Sequence, residues 1–193
     1  DPNEDFNTIV ASFKPNLIAV SVVEDMFPRA IELLSALNGT RPTVLMGGVF
    51  PTFAADVAYD NSEGCVDYIL KGEGERTILE FWEKLGKNES LESIDGIYYV
   101  ENNVFSGDKI INNTLPSPNP ISEIPIPDYS LFKESRFYRP MQGKVRRMFP
   151  IETFRGCPYK CTYCNSPSQT TIYKDETNVS FFRKAEISRI EHE

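Results

Sequence analysis

Leu17-Ile18-Ala19-Val20-Ser21-Val22-Val23, Thr43-Val44-Leu45-Met46-Gly47-Gly48 and Val66-Asp67-Tyr68-Ile69-Leu70 are three short apolar runs separated by amphipathic stretches. Continuous runs of this kind, rich in β-branched residues, suit strands buried on both faces, as in a parallel sheet. After the first run, Ala30, Ile31, Leu33, Leu34 and Leu37 recur at helical spacing, and Asn38-Gly39 supplies a stop signal. A short helix is expected over residues 54–59 and a longer one over 75–85, where Ile78, Leu79, Phe81, Trp82 and Leu85 share a side. Strand and helix alternating with short connections specify right-handed βαβ units, so the fold class is α/β with a Rossmann-like parallel sheet. Phe6, Ile9, Val10 and Phe13 form a helical pattern ahead of the first run. A doubly wound sheet ordinarily has a strand before such a helix, and the expectation is that this first strand is missing.

Working outward, residues 96–105 read as a hairpin in which Ile97, Tyr98, Tyr99 and Val100 face Val104 and Phe105 across Asn102-Asn103. Asn tolerates the left-handed conformation that a two-residue turn requires. Five prolines between Pro116 and Pro127 exclude a helix or a central strand and imply a stiff, extended linker. Beyond it, residues 148–154 read as a strand, Arg155-Gly156 leads into a cysteine-rich loop, and a helix is expected from about Ser180, with Phe182, Ala185, Ile187 and Ile190 on one side. The expected organisation is a Rossmann-like domain over 1–95, the hairpin and proline linker over 96–145, and a further domain beginning at 146–193.

The 193 residues are 40% hydrophobic and 12% aromatic, enough for a buried core, which excludes a wholly disordered chain. The net charge of −8 conceals a step: residues 1–132 carry 8 basic and 21 acidic side chains, whereas 133–193 carry 12 basic and 7 acidic. The acidic part argues against a nucleic-acid groove; the basic stretch over 136–147 either meets an anionic group or is a solvated face. No apolar run approaches the ~20 residues that span a bilayer, and no signal sequence opens the chain, so the expectation is a cytoplasmic protein without membrane contact. The chain lacks an initiator Met and stops within a helical pattern, which leads us to expect a fragment.

Three of the four cysteines, Cys157, Cys161 and Cys164, fall within eight residues at C-x3-C-x2-C spacing. Three thiolates on one loop can converge on three corners of a cubane cluster and leave the fourth iron open to another ligand. Structural zinc is an alternative, but it needs a fourth ligand, for which only Cys65 and His192 are candidates. A disulfide plus a free thiol is another. Cys65 itself reads as a small buried hydrophobe.

The run Glu152-Thr153-Phe154-Arg155-Gly156-Cys157-Pro158-Tyr159-Lys160-Cys161-Thr162-Tyr163-Cys164-Asn165 resembles the start of a radical S-adenosylmethionine (SAM) domain. The resemblance implies that the three cysteines hold a 4Fe-4S cluster whose open iron chelates the amino and carboxylate groups of SAM. One electron, from a donor such as flavodoxin or ferredoxin, then cleaves a carbon–sulfur bond and releases a 5′-deoxyadenosyl radical. It also places Tyr163 near the adenine, the alternative being an aromatic packed under the loop. Only the first βα unit of a partial TIM-type barrel is present, so this stretch alone is expected to be inactive.

Gly47-Gly48-Val49-Phe50-Pro51-Thr52, followed by Val66-Asp67-Tyr68-Ile69-Leu70-Lys71-Gly72-Glu73-Gly74-Glu75, is similar to the cobalamin-binding domain that often precedes radical SAM domains. Glycines at the carboxyl end of a strand let a ligand approach the backbone, where open α/β sheets bind ligands. By the resemblance, Ser21, Gly47 and Gly48 line the slot for the cobalamin nucleotide tail, and Gly72, Glu73, Gly74 and Glu75 contact the cofactor. The alternative for the two glutamates is capping of the following helix. The D-x-H-x-x-G loop that supplies a lower-face histidine in classical cobalamin domains does not occur here. The implied function is cobalamin-dependent methyl transfer to an unactivated carbon. The alternatives are a radical SAM oxidoreductase or cyclase with a degenerate or differently used cobalamin domain, and a non-enzymatic zinc-binding module. A methylthiotransferase would require three further cysteines in its N-terminal domain. The substrate is unknown.

Overall fold

A computed structural model describes residues 5–37, 39, 41–102 and 107–193, which form two compact units, 1–117 and 118–193. The division falls inside the proline-rich stretch. Among the described residues, no helix is long and apolar enough to cross a membrane.

The first unit runs α1 (Phe6–Phe13), β1 (Leu17–Ser21), α2 (Phe27–Ser35), β2 (Thr43–Gly47), α3 (Val49–Phe53), α4 (Ala55–Asp60), β3 (Tyr68–Leu70), α5 (Thr77–Lys87), β4 (Ile97–Glu101) and β5 (Lys109–Asn112). The strands form one sheet in sequential order; β1, β2 and β3 are parallel, and β4 and β5 are added antiparallel. Because successive side chains of a strand point to opposite faces, β2 serves two cores at once. Val44 and Met46 pack with Ile31, Leu34 and Ile69 on one face, whereas Leu45 packs with Leu70, Phe81, Ile97 and Tyr99 on the other. Each such buried side chain contributes about 1.5–3 kcal/mol.

Several elements depart from expectation in detail. The helix expected over 54–59 is α4, Ala55–Asp60, and a further short helix, α3, precedes it across Ala54. The helix over 75–85 begins at Thr77 and the strand over 66–70 at Tyr68. The strand returning against β4 is Lys109–Asn112, with Val100 opposite Ile110 and Tyr98 opposite Asn112, because Ile111 completes the core beside Tyr99. Val104 and Phe105, expected to face β4, lie outside the described residues.

At the amino ends of the strands, Arg41 forks onto Asp67, Nη1 to Oδ2 at 2.6 Å and Nη2 to Oδ1 at 2.8 Å, and the Val44 N–H donates to Asp67 Oδ2 at 2.7 Å. This bidentate pair fixes the register of β2 at the edge opposite the glycine loops.

The second unit contains β6 (Tyr138–Met141), β7 (Lys144–Arg147), β8 (Phe154–Arg155), α6 (Ser166–Thr177), β9 (Arg183–Lys184) and α7 (Ile187–His192). Its buried residues include Ile121, Ile124, Phe137, Tyr173 and Phe181; the Tyr173 and Phe181 rings stack at 4.5 Å. The proline stretch is tied down through its carbonyls: Arg183 donates to the Asn119 carbonyl, and Arg189 to those of Ile124 and Pro125. Proline removes backbone donors but leaves acceptors, and the arginines satisfy them.

Here the expected strand over 148–154 shrinks to Phe154–Arg155, since Pro150 interrupts the run. The helix expected from about Ser180 begins only at Ile187, and Arg183–Lys184 instead pairs antiparallel with β8. The β6–β7 hairpin and α6 were not expected. The hairpin turns through Gln142 and Gly143, both with positive φ, the geometry of a type I′ turn.

Candidate functional site

Parallel strands deliver their carboxyl ends to one edge, and in the first unit that edge carries the expected cobalamin residues. Ser21 ends β1 and pairs in register with Gly47, which ends β2. The Val22 N–H donates to the Gly47 carbonyl at 3.0 Å, and the Phe50 N–H donates to the Val22 carbonyl at 3.3 Å. Between them Gly48 adopts φ +102°, and a Cβ there would lie 2.5 Å from Val22 O, 2.6 Å from Val22 N and 2.9 Å from Ser21 Oγ. The first requirement for glycine at this position is therefore the close approach of the chain's own backbone. A Cβ on Gly47 would meet Leu70 O at 3.2 Å.

The third loop follows β3. Gly72 has φ +79°, and its N–H donates to Thr52 Oγ1 at 2.9 Å; the same hydroxyl donates to the Gly48 carbonyl at 2.7 Å. Glu73 is buried, and a Cβ on Gly74 would meet nothing within 4 Å. The capping position of α5 is Arg76, whose side chain makes no capping bond, and neither Glu73 nor Glu75 falls in the first helical turn. The Glu73 and Gly74 carbonyls instead accept from the Thr77 hydroxyl at 3.2 and 3.4 Å. An open, largely apolar cleft of about 460 Å³ borders this edge, with Ser21, Gly48, Val49 and Met26 in its wall.

In the second unit, the three cysteines occupy the loop between β8 and α6. Gly156, at the loop entrance, has φ +82°, and a Cβ there would lie 2.9–3.1 Å from the Phe181–Phe182 backbone. Glycine is thus what lets the loop leave β8 beside the segment that leads into β9. Cys157 and Cys161 are partly exposed and Cys164 is exposed; all three are free thiols. Among the described residues, no three cysteine, histidine or carboxylate groups are gathered into a metal cage. Cys164 sits just before α6, with Sγ 3.4 Å from both the Ser166 hydroxyl and the Ser166 backbone N. Those hydrogen bonds, the hydroxyl's first, pull its pKa below the ordinary cysteine value and favour the thiolate that metals require. The Tyr163 ring is 91% exposed, so it is not packed under the loop. Cys65 is buried in the first unit's core, its Sγ 3.0 Å from Ser35 Oγ, and could not leave for a metal without opening that core. His192 ends α7.

Three contributors escaped the sequence reading. Thr52 sits in the glycine-pair motif with no role apparent from spacing, although a hydroxyl four residues after a glycine at a helix start is a back-bonding signal. Gly156 and Ser166 flank the cysteines, and their roles depend on contacts that only the fold supplies.

Residues 1–81 match the B12 binding domain family. Relatives also match most of the chain. An uncharacterized methyltransferase, PH0819, of Pyrococcus horikoshii is 28% identical over 86% of this chain and 34% of its own length. The anaerobic magnesium-protoporphyrin IX monomethyl ester cyclase of Synechocystis is 31% identical over 63% of the chain and 22% of its own. The solved structure of the cobalamin-dependent S-adenosylmethionine radical enzyme OxsB, with aqua-cobalamin and SAM bound, superposes with a TM-score of 0.60 at 26% identity, over 81% of this chain and 21% of OxsB. Residues 1–81 thus match a B12 binding domain, and most of the chain is similar to a cobalamin-dependent S-adenosylmethionine radical enzyme. The chain spans about a third or less of the length of these relatives.

The B12-binding unit fits a corrinoid on its own features: an open cleft, a backbone-lined edge and an exposed serine hydroxyl. The cysteine loop fits an iron–sulfur cluster by its donor set, three soft sulfur ligands on one accessible segment.

Proposed function

We propose that this chain supplies the corrinoid-binding unit and the cluster loop of a radical SAM enzyme, most simply a cobalamin-dependent methyltransferase acting on an unactivated carbon. The observation that carries the reading is the pairing, in one chain, of a B12-binding domain with a C-x3-C-x2-C loop lying between a strand and a helix. A bound 4Fe-4S cluster supplies one-electron reduction of SAM, and a bound cobalamin supplies a methyl carrier.

The chain's own residues then bind and orient. Cys157, Cys161 and Cys164 are the cluster ligands, and the Ser166 N–H, donating to Cys164 Sγ, favours its thiolate form. Three ligands from one loop leave a metal corner for a substrate chelate. Tyr163, projecting freely from that loop, offers a ring face to the adenine of SAM. Ser21, Gly47 and Gly48 line the nucleotide-tail slot, and Gly72, Glu73, Gly74 and Glu75, in the loop after β3, contact the cofactor. The electron donor is a small redox protein of the flavodoxin or ferredoxin type.

The 31% identity to the Synechocystis cyclase favours a second reading, in which the same two units serve a radical cyclase or oxidoreductase. Titration of the chain with aquacobalamin separates the methyl carrier from an enzyme whose cobalamin domain is degenerate. A shifted corrinoid absorption spectrum with saturable binding supports the methyl carrier. No spectral change at saturating corrinoid rejects the carrier and leaves the cobalamin-free enzyme.

A further inference from the structure

We infer that Thr52 is the positioning residue of the corrinoid slot: its hydroxyl sets the spacing between the β2 and β3 glycine loops. The inference rests on the corrinoid-binding reading above and adds a residue to it.

Thr52 lies in α3, one turn beyond Gly48, and is 5% exposed. Its backbone N–H already donates to the Gly48 carbonyl at 3.2 Å, and its Oγ1 donates to the same oxygen at 2.7 Å. A threonine that only bonds back to the preceding turn is common in helices and carries no message. What sets Thr52 apart is the second bond: Oγ1 also accepts the Gly72 N–H at 2.9 Å, from a loop twenty residues further along. One hydroxyl therefore donates to one glycine loop and accepts from the other. Only serine and threonine combine both roles in a side chain of this length.

The tie continues to β1. Gly48, whose carbonyl Thr52 holds, is pressed against Val22 and Ser21, so Ser21, Gly48, Thr52 and Gly72 link all three strand ends. With the Gly72 N–H and the Gly48 carbonyl occupied internally, neither is drawn to a ligand, and the spacing of the two loops is fixed before a corrinoid arrives. Loss of the hydroxyl leaves a partly buried N–H without its partner, and the β3 loop moves to find it another.

The test compares Thr52→Val, Thr52→Ser and the parent chain by aquacobalamin titration and by amide hydrogen exchange. Thr52→Val is expected to weaken corrinoid binding about tenfold or more, Thr52→Ser to stay within about threefold. In Thr52→Val the Gly72 amide should exchange faster while the Met46 and Ile69 amides keep their protection. Thr52→Val binding as tightly as the parent with a protected Gly72 amide overturns the inference. So does Thr52→Ser weakening as far as Thr52→Val, because the hydroxyl would then not be the operative group. Should the parent itself fail to bind corrinoid, the functional reading falls. The Gly72 exchange rate still decides whether Thr52 holds the loops together.

Discussion

Gly48 combines two demands, a left-handed φ and the absence of a side chain where Val22 passes. Gly39, with φ +80° and no atom within 4 Å of the point a Cβ would occupy, carries the first demand without the second. Gly39→Ala should therefore cost about 1 kcal/mol, the conformational part alone, and Gly48→Ala about 3 kcal/mol or more. Urea denaturation measures both, and equal losses would show that the Val22 contact is unimportant. Asp67→Asn weakens the fork to Arg41; because both groups are about one-third exposed, a loss of about 1–2 kcal/mol is expected. The glycine pair was legible in the sequence as a ligand-approach signal, but its neighbour proved to be the chain's own backbone. Asp67 read as part of a cofactor motif, and its hydrogen bonds make it a structural clamp. Neither contact partner is close in sequence, which is why composition and spacing did not show them.

The parallel strands were legible because β1, β2 and β3 are apolar along their length, and burial on both faces demands that. Strand β4 was legible too, but its partner was misplaced: both 104–105 and 110–111 are apolar pairs, and only packing against Tyr99 distinguishes them. Helix α6 escaped notice because Ser166–Thr177 is mostly polar and buries only Tyr173. At this scale two outcomes are expected. Burial first, then Glu101 nearby, pushes the Tyr99 hydroxyl up to about 12 from the ordinary 10.0. A raised pKa means that its contribution to stability is fully present below about pH 10 and is lost as pH rises towards 12. The melting temperature of the parent should therefore fall more steeply over that range than that of Tyr99→Phe; parallel curves would contradict the assignment. In the second unit, Gly156→Ala forces the cysteine loop away from Phe181–Phe182. It should lower the iron retained after anoxic reconstitution by about half or more, whereas unchanged iron would show that the loop entrance is not constrained.

Across the whole molecule, the step in charge accompanies a step in composition: an acidic unit with glycines at its strand ends and a basic segment with three clustered cysteines. The two units have separate cores, so damage to one cofactor site should spare the other. Cys161→Ala is expected to abolish cluster assembly while leaving aquacobalamin affinity within about twofold of the parent; joint loss of both would contradict separate units. The central claim is that three thiolates hold a cluster with one open corner. Electron paramagnetic resonance of the anoxically reconstituted, reduced chain, with and without SAM, tests it most directly. The account predicts about three to four irons per chain and a reduced-cluster signal that changes when SAM is added. A single tightly bound zinc without a cluster signal, or a cluster signal indifferent to SAM, would contradict it.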